Sequence, residues 1–249
     1  MFHILPIQYF VHHHRFTASP TTTRGFRATS ASGSRGMLAR RFSLIAFAFL
    51  FFAAFQLGAV EKRLPMKGEV FAIQDRPAFL ILPEKPKVGP IPWVLYAPTL
   101  RGLPGEAEKW MFERFLKAGI AIAGVDVGES YGSPKGRAVY SALHEHLVTK
   151  RVLSKQACLL ARSRGGLMLY CWAVENPDKV RCITGIYPVC NIASYPGLKR
   201  ACGAYGLTAD KLEAELAKHN PIDRLAPLAK AKVPIFHIHG DKDRVVPLD

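Results

Sequence analysis

The stretch CLLARSRGGLMLYCWA, Cys158–Ala173, decides how this chain is read. An apolar run ends at Ala161, one serine follows between Arg162 and Arg164, and two glycines open a second apolar run with helical spacing. The first run has the character of a buried strand and the second that of a helix. Ser163 therefore stands at a strand-to-helix corner, in Ala161-Arg162-Ser163-Arg164-Gly165, which is the spacing G-x-S-x-G with alanine in the first place. A serine hydroxyl is a poor nucleophile unless it is held out at a sharp turn where a base can reach it. Small residues two before and two after keep the strand and helix clear of such a turn. The helix that begins there aims its amides at the corner, so the Arg164 N–H is placed to stabilise an oxyanion. A plain helix N-cap ahead of Gly165 would be spelled similarly, so the motif needs its surroundings.

Those surroundings alternate. From Val70 onward, EVFAIQ and AFLILPE predict short strands parted by the turn-forming DRP, and IPWVLYAP predicts a third strand ended by Pro98. GEAEKWMFERFLKAG carries Trp110, Phe112, Phe115 and Leu116 at helical spacing, with Gly119 as its C-cap. IAIAGVDVG is continuously apolar, as strands buried on both faces of a parallel sheet are. The run from Gly136 through SALHEHLVTK to Lys150 predicts a helix, KQACLLA a strand, GGLMLYCWAVENP a helix, and VRCITGIYP and VPIFHIHG two further strands. Between the last two lies a polar, helix-prone segment. Strands alternating with helices predict a doubly wound, mostly parallel sheet of the α/β class, with sites at the carboxyl ends of its strands. The residues just past each apolar run are Pro98 to Leu100, Asp126 to Tyr131, Ser163, and Asp241 to Asp243.

The second signature is FHIHGDKDRVVP, where a strand ends at Gly240 and an aspartate follows three residues later. With YAPTLRG, VDVGESYGSP and ARSRGG in the expected order, the chain from about Val70 resembles the α/β-hydrolase superfamily. The nearest likeness is to its secreted esterases and prolyl-oligopeptidase-like serine hydrolases. That resemblance implies a serine hydrolase acting on an ester, or alternatively a peptide, through an acyl-enzyme, with no cofactor and no metal. By position, Ser163 resembles the nucleophile and Asp243 the triad acid, with Asp241 as its competitor. The N–H groups of Arg164 and Thr99 resemble the oxyanion hole. Asp126, Glu129 and Tyr131 either line the substrate mouth or, for the two acids, pair with Arg162 or Arg164; an arginine beside the serine could also select acidic substrates. Tyr195, Pro196 and Tyr205 are lid candidates, and HNPIDRL is the ordered end of that lid. His239 supports its loop rather than acting as the base.

The same resemblance implies the order Ser, Asp, His. No histidine follows Asp243, and the five in residues 60–249, His144, His146, His219, His237 and His239, all precede it. The expectation is a truncated hydrolase domain that lacks the last strand and helix. A non-catalytic protein on such a fold is the reading from another class.

The net charge of +15 is unevenly spread. Residues 1–59 hold six arginines and no acid, leaving 28 basic against 19 acidic residues, a net of +9, with no long basic run. A solvated basic surface fits this better than a nucleic-acid interface, and the expected partner is a small ester or short peptide. Arg40 and Arg41 precede the uncharged apolar stretch Phe42–Phe55, and small residues follow. This predicts a signal peptide over 37–59 starting at Met37, hence secretion or a periplasmic address, with a membrane anchor over 42–60 as the alternative. Residues 1–36 read as an upstream extension, so the hydrolase domain is 60–249. Five cysteines without a C-x-x-C pair argue against a zinc knuckle. Cys158 and Cys182 are expected as buried thiols within strands, and Cys190 and Cys202 could bridge in an oxidising compartment.

Overall fold

A computed structural model describes residues 62–86 and 88–246. The readings of residues 1–36 as an extension and of 37–59 as a leader lie outside the described residues. Seven strands form one sheet: β1 (Glu69–Ile73), β2 (Arg76–Ile81), β3 (Trp93–Tyr96), β4 (Ala121–Val125), β5 (Ala157–Arg162), β6 (Val180–Ile186) and β7 (Ile235–Ile238). Their order across the sheet is β1-β2-β4-β3-β5-β6-β7. β1 pairs antiparallel with β2 and β2 with β4, and every other pairing is parallel. The expected α/β class, doubly wound and mostly parallel, is the fold observed.

The first hairpin turns at Gln74 and Asp75, not at Asp75-Arg76-Pro77. Both have positive φ, 47° and 60°, as the two central residues of a type I′ turn require. Ile73↔Arg76 closes the hairpin and Pro77 lies opposite Ala72 inside β2. Proline is tolerated there because the neighbouring pair of an antiparallel ladder needs no hydrogen bond from it.

Helices cover both faces of the sheet. α1 (Glu106–Lys117) lies on one side, and α2 (Pro134–Lys150) and α3 (Gly165–Glu175) on the other. Alternation along β3 shows the two-sided core: Trp93 and Leu95 join the cluster under α2 and α3, while Val94 and Tyr96 join Phe112 of α1. Every α3 residue but Glu175 is buried, which is why GGLMLYCWAV has no polar face. On α1, Phe112 is buried but Trp110 is 68% exposed and stacks on Arg114. Two residues apart on a helix means opposite faces, so Trp110 does not share the core stripe of Phe112.

The segment between β6 and β7 forms α4 (Leu198–Tyr205), α5 (Ala209–Ala214), α6 (Leu216–His219), a 3-10 turn (Pro221–Arg224) and α7 (Ala226–Lys230). It builds a third cluster, in which Ala201 and Leu212 pack with Tyr131, Leu167, Val189, Ile192 and Val246. Asn220 of HNPIDRL is buried and ties this segment down, accepting from Ile192 N at 2.8 Å and donating to Asn191 Oδ1 and Asp223 Oδ2. The bridge considered for Cys190 and Cys202 is not formed; both are free thiols, Cys190 against the main core and Cys202 in the helical cluster. β7 is the last strand among the described residues and exposes Ile235, Phe236 and Ile238. No helix among the described residues is long and apolar enough to cross a membrane.

Candidate active site

Ser163 has φ of 51°, in the small left-handed region that non-glycine residues seldom occupy. The strand β5 ends one residue before it and α3 begins two residues after it. Its backbone is pinned on three sides. Ser163 N donates to Ile186 O at 3.0 Å, and Ser163 O accepts from Gly166 N and Val189 N, both at 2.9 Å. Glycine is demanded most strictly one position later than the motif suggests. A Cβ on Gly166 would lie 2.4 Å from Val189 O, whereas one on Gly165 would make ordinary contact at 3.4 Å with Ala97 Cβ and 3.5 Å with Thr99 Cγ2. That last contact also places Thr99, at the carboxyl end of β3, directly over the start of α3.

Neither the Arg164 nor the Thr99 amide has an acceptor among the described residues. Two free N–H groups thus flank the serine corner. The arginines on either side of Ser163 have separate partners. Arg162 pairs with the fully buried carboxylate of Glu108, and its Nε donates to Tyr187 Oη at 2.8 Å. Glu108 also accepts from Gly105 N at 2.8 Å, closing the N-terminus of α1. Burial, then the Glu108 charge, pushes the Tyr96 phenol far up, so it stays neutral beneath this network. Arg164 reaches Glu129 Oε1 at 3.2 Å, Tyr195 Oη at 3.4 Å and Thr99 O at 3.5 Å. Tyr195 of the expected lid is therefore beside the serine corner, and Tyr205 Oη donates to Tyr131 O at 2.8 Å.

The three expected mouth residues divide. Glu129 stands in the Arg164 cluster. Asp126 pairs with neither arginine; its Oδ1 accepts from Lys62 Nζ at 2.6 Å, and that ammonium also donates to Leu103 O. Burial raises the Asp126 carboxyl while the Lys62 contact lowers it. Tyr131 is buried in the helical cluster with φ of 46°, while burial and the neighbouring Glu129 carboxylate raise its phenol against the pull of Arg164, which keeps it beside the same cluster.

Asp243 Oδ1 accepts from Val245 N at 2.9 Å and Val246 N at 3.0 Å. These bonds hold its carboxyl below the ordinary value of 3.8. Its other oxygen is 4.0 Å from His239 Nε2, and that nitrogen donates to Val246 O at 2.7 Å. His239 braces the loop, as expected. Asp241, the competitor, has no side-chain partner among the described residues. The remaining histidines are engaged elsewhere: His144 with Lys155 O, His237 with Tyr170 Oη, His219 beside Glu215, and His146 stacked on Phe71. Among the described residues no side chain hydrogen-bonds the Ser163 hydroxyl. A cleft of about 910 Å³ lined by Leu82, Glu113 and Leu116 contains none of these residues.

No protein-family model matches the chain, and no curated protein matches it by sequence. Solved structures do match it. Est1E from Butyrivibrio proteoclasticus superposes with a TM-score of 0.56 at 16% identity, over 74% of this chain and 81% of its own. The Pyrococcus horikoshii acylaminoacyl peptidase gives 0.56 at 18% identity, over 82% of this chain and 35% of its own. A prolyl endopeptidase gives 0.50 at 20% identity, over 66% of this chain and 28% of its own. The chain thus spans about a third of the length of the two peptidases. With a strained serine at the end of β5, a buried helix behind it and strand order 1-2-4-3-5-6-7, the chain has the α/β-hydrolase fold.

Proposed function

We propose that the chain is a serine hydrolase that cleaves an ester bond through an acyl-enzyme on Ser163. The observation that carries this reading is the strained Ser163 backbone with two unengaged amides beside it. Ser163 Oγ attacks the acyl carbon and its proton passes to a base. The carbonyl electrons move onto oxygen, where the Arg164 and Thr99 N–H groups receive them. Collapse expels the alcohol, and water then releases the acid and regenerates the serine. Asp243 is the acid of this scheme. None of the described histidines is in place to accept the Ser163 proton. Glu129 with Arg164 borders the acyl site, and Tyr195 closes over it. The fold shared with Est1E supports the ester reading. Peptide cleavage is the second reading, favoured by the fold shared with those peptidases. Secretion from a leader at Met37 belongs to the same proposal, and mass spectrometry of the mature N-terminus tests it.

The test is covalent labelling of the natural chain with a fluorophosphonate, followed by peptide mapping. An adduct on Ser163 that the Ser163→Ala variant lacks supports the reading, and faster turnover of p-nitrophenyl esters than of acyl p-nitroanilides supports the ester. No adduct on Ser163 would instead favour a non-catalytic protein on this fold.

A further inference from the structure

A second reactive cluster lies at the opposite end of β5 from Ser163. Cys158 of β5 and Cys182 of β6 are direct partners in the parallel register. Residues paired this way project to the same face of the sheet. Neighbouring strands are ~4.8 Å apart, within the ~4.4–6.8 Å between Cα atoms that a disulfide accepts.

The register is irregular at this point. Ala157 pairs with Val180 and Cys158 with Cys182, so Arg181 is the extra residue of a bulge. Bulges re-aim side chains, and here the Arg181 guanidinium acts on both thiols. Both cysteines are free and, contrary to the expectation of buried thiols, only partly buried, because they open into a cleft of about 640 Å³ lined also by Gln156, Asp178 and Lys232. A dissolved small molecule therefore has a route to both sulfurs.

The neighbouring Cys158 thiol holds the Cys182 thiol below its ordinary value of 9.0, with the Arg181 charge assisting. Cys158 is pushed up by its own neighbour, Cys182, and by burial. The other deep thiols are less reactive: burial raises Cys190 to about 11 and Cys171 to about 12.

We propose that Cys158 and Cys182 form a redox-active dithiol, distinct from the Ser163 site, that closes to a disulfide with low-molecular-weight disulfides as oxidant. The Cys182 thiolate attacks one sulfur of the oxidant, breaks its S–S bond and releases one thiolate. Cys158 then gives up its proton and attacks the Cys182 sulfur, releasing the second thiolate. The two protein thiols lose two electrons and two protons, and the small disulfide leaves as two thiols.

The test uses the natural chain, fully reduced, then incubated with glutathione disulfide at neutral pH. Two of the five thiols should disappear. A tryptic digest without reductant should contain peptide 156–162 joined to peptide 182–199, with fragmentation placing the bond on Cys182 and not on Cys190. Cys158→Ser should stop at a glutathione adduct on Cys182. In the native protein, iodoacetamide should alkylate Cys182 before Cys171 or Cys190. Because the bridge closes a loop between two core strands, the oxidised protein should melt about 6 °C or more above the reduced one. Cys158 and Cys182 both remaining alkylatable after oxidation would overturn the proposal. So would separate glutathione adducts on each without a crosslink, or a crosslink through Cys190 or Cys202.

Discussion

The buried carboxylate of Glu108 is ion-paired with the guanidinium of Arg162, the residue immediately before the strained Ser163. The pair joins α1 to the end of β5 across 54 residues of sequence, and Tyr187 braces it from beyond β6. Removing one partner of a buried pair leaves an uncompensated charge, typically at 3–5 kcal/mol. Arg162 is partly exposed, so water offsets some of that loss. Glu108→Gln should destabilise the fold by about 3 kcal/mol, read from urea unfolding, and should slow fluorophosphonate labelling of Ser163. Adding Arg162→Met should recover stability. No recovery in the double variant would mean that Glu108 acts only through Gly105 at the helix start.

The backbone at Ser163 makes a second prediction. A non-glycine residue at positive φ is strained, and glycine relieves that strain. Ser163→Gly and Ser163→Ala both remove the hydroxyl, but the glycine variant should be the more stable by about 1 kcal/mol. Equal melting temperatures for the two would remove the strained-elbow argument.

Ser163, its strand and its helix were legible because the motif is local: five residues fix the corner, and apolar periodicity fixes what flanks it. The parallel sheet was legible for the same reason, since β3 and β4 are short, wholly apolar runs. The partners of the site were not. Lys62 meets Asp126 over 64 residues, and nothing near Asp126 in sequence announces an ammonium. Glu108 did leave a trace, three residues after Gly105 in a capping-box spacing, but its second bond to Arg162 depends on how α1 crosses the sheet. Tyr131 was placed beside the elbow by position, but its packing against Ala201 and Leu212 of the helical segment had no local signal. Pro77 drew the turn one residue too far along, because proline marks turns more often than strand starts.

Burial gives the chain an acid-sensitive histidine. His144 is enclosed between the Trp93 and Trp172 rings, and its Nε2 donates to Lys155 O at 2.8 Å. Burial holds it below the ordinary 6.5. As pH falls through that value the unfolded chain takes up the proton first, so stability present above it is lost toward the lower folded value. The loss is at most about 1.4 kcal/mol per pH unit for one group. His144→Gln keeps a donor for Lys155 O and cannot titrate. Its urea midpoint should therefore change less between pH 7.5 and 5.5 than that of the natural protein. An unchanged pH dependence would assign the acid sensitivity to other groups.

The Lys62–Asp126 pair should show the opposite dependence on pH once it is broken. Lys62 is almost wholly buried, its ammonium 5.5 Å from the Phe79 ring centre, and Asp126 is about four-fifths buried. In the natural protein burial already raises the Asp126 carboxyl against the pull of Lys62. Lys62→Met removes that pull and leaves the carboxylate without its one side-chain partner among the described residues. The folded-state value then rises further above the unfolded 3.8. A carboxyl raised on folding favours the folded state when protonated, so stability is lost as pH climbs through the window between the two values. Lys62→Met should therefore cost about 3 kcal/mol at pH 7.5 and clearly less at pH 5. Adding Asp126→Asn should erase most of the difference between the two pH values, because the amide carries no charge to strand. A Lys62→Met penalty that is the same at pH 5 and 7.5 would show that Lys62 contributes through its packing on Phe79 and its bond to Leu103 O, and not through Asp126.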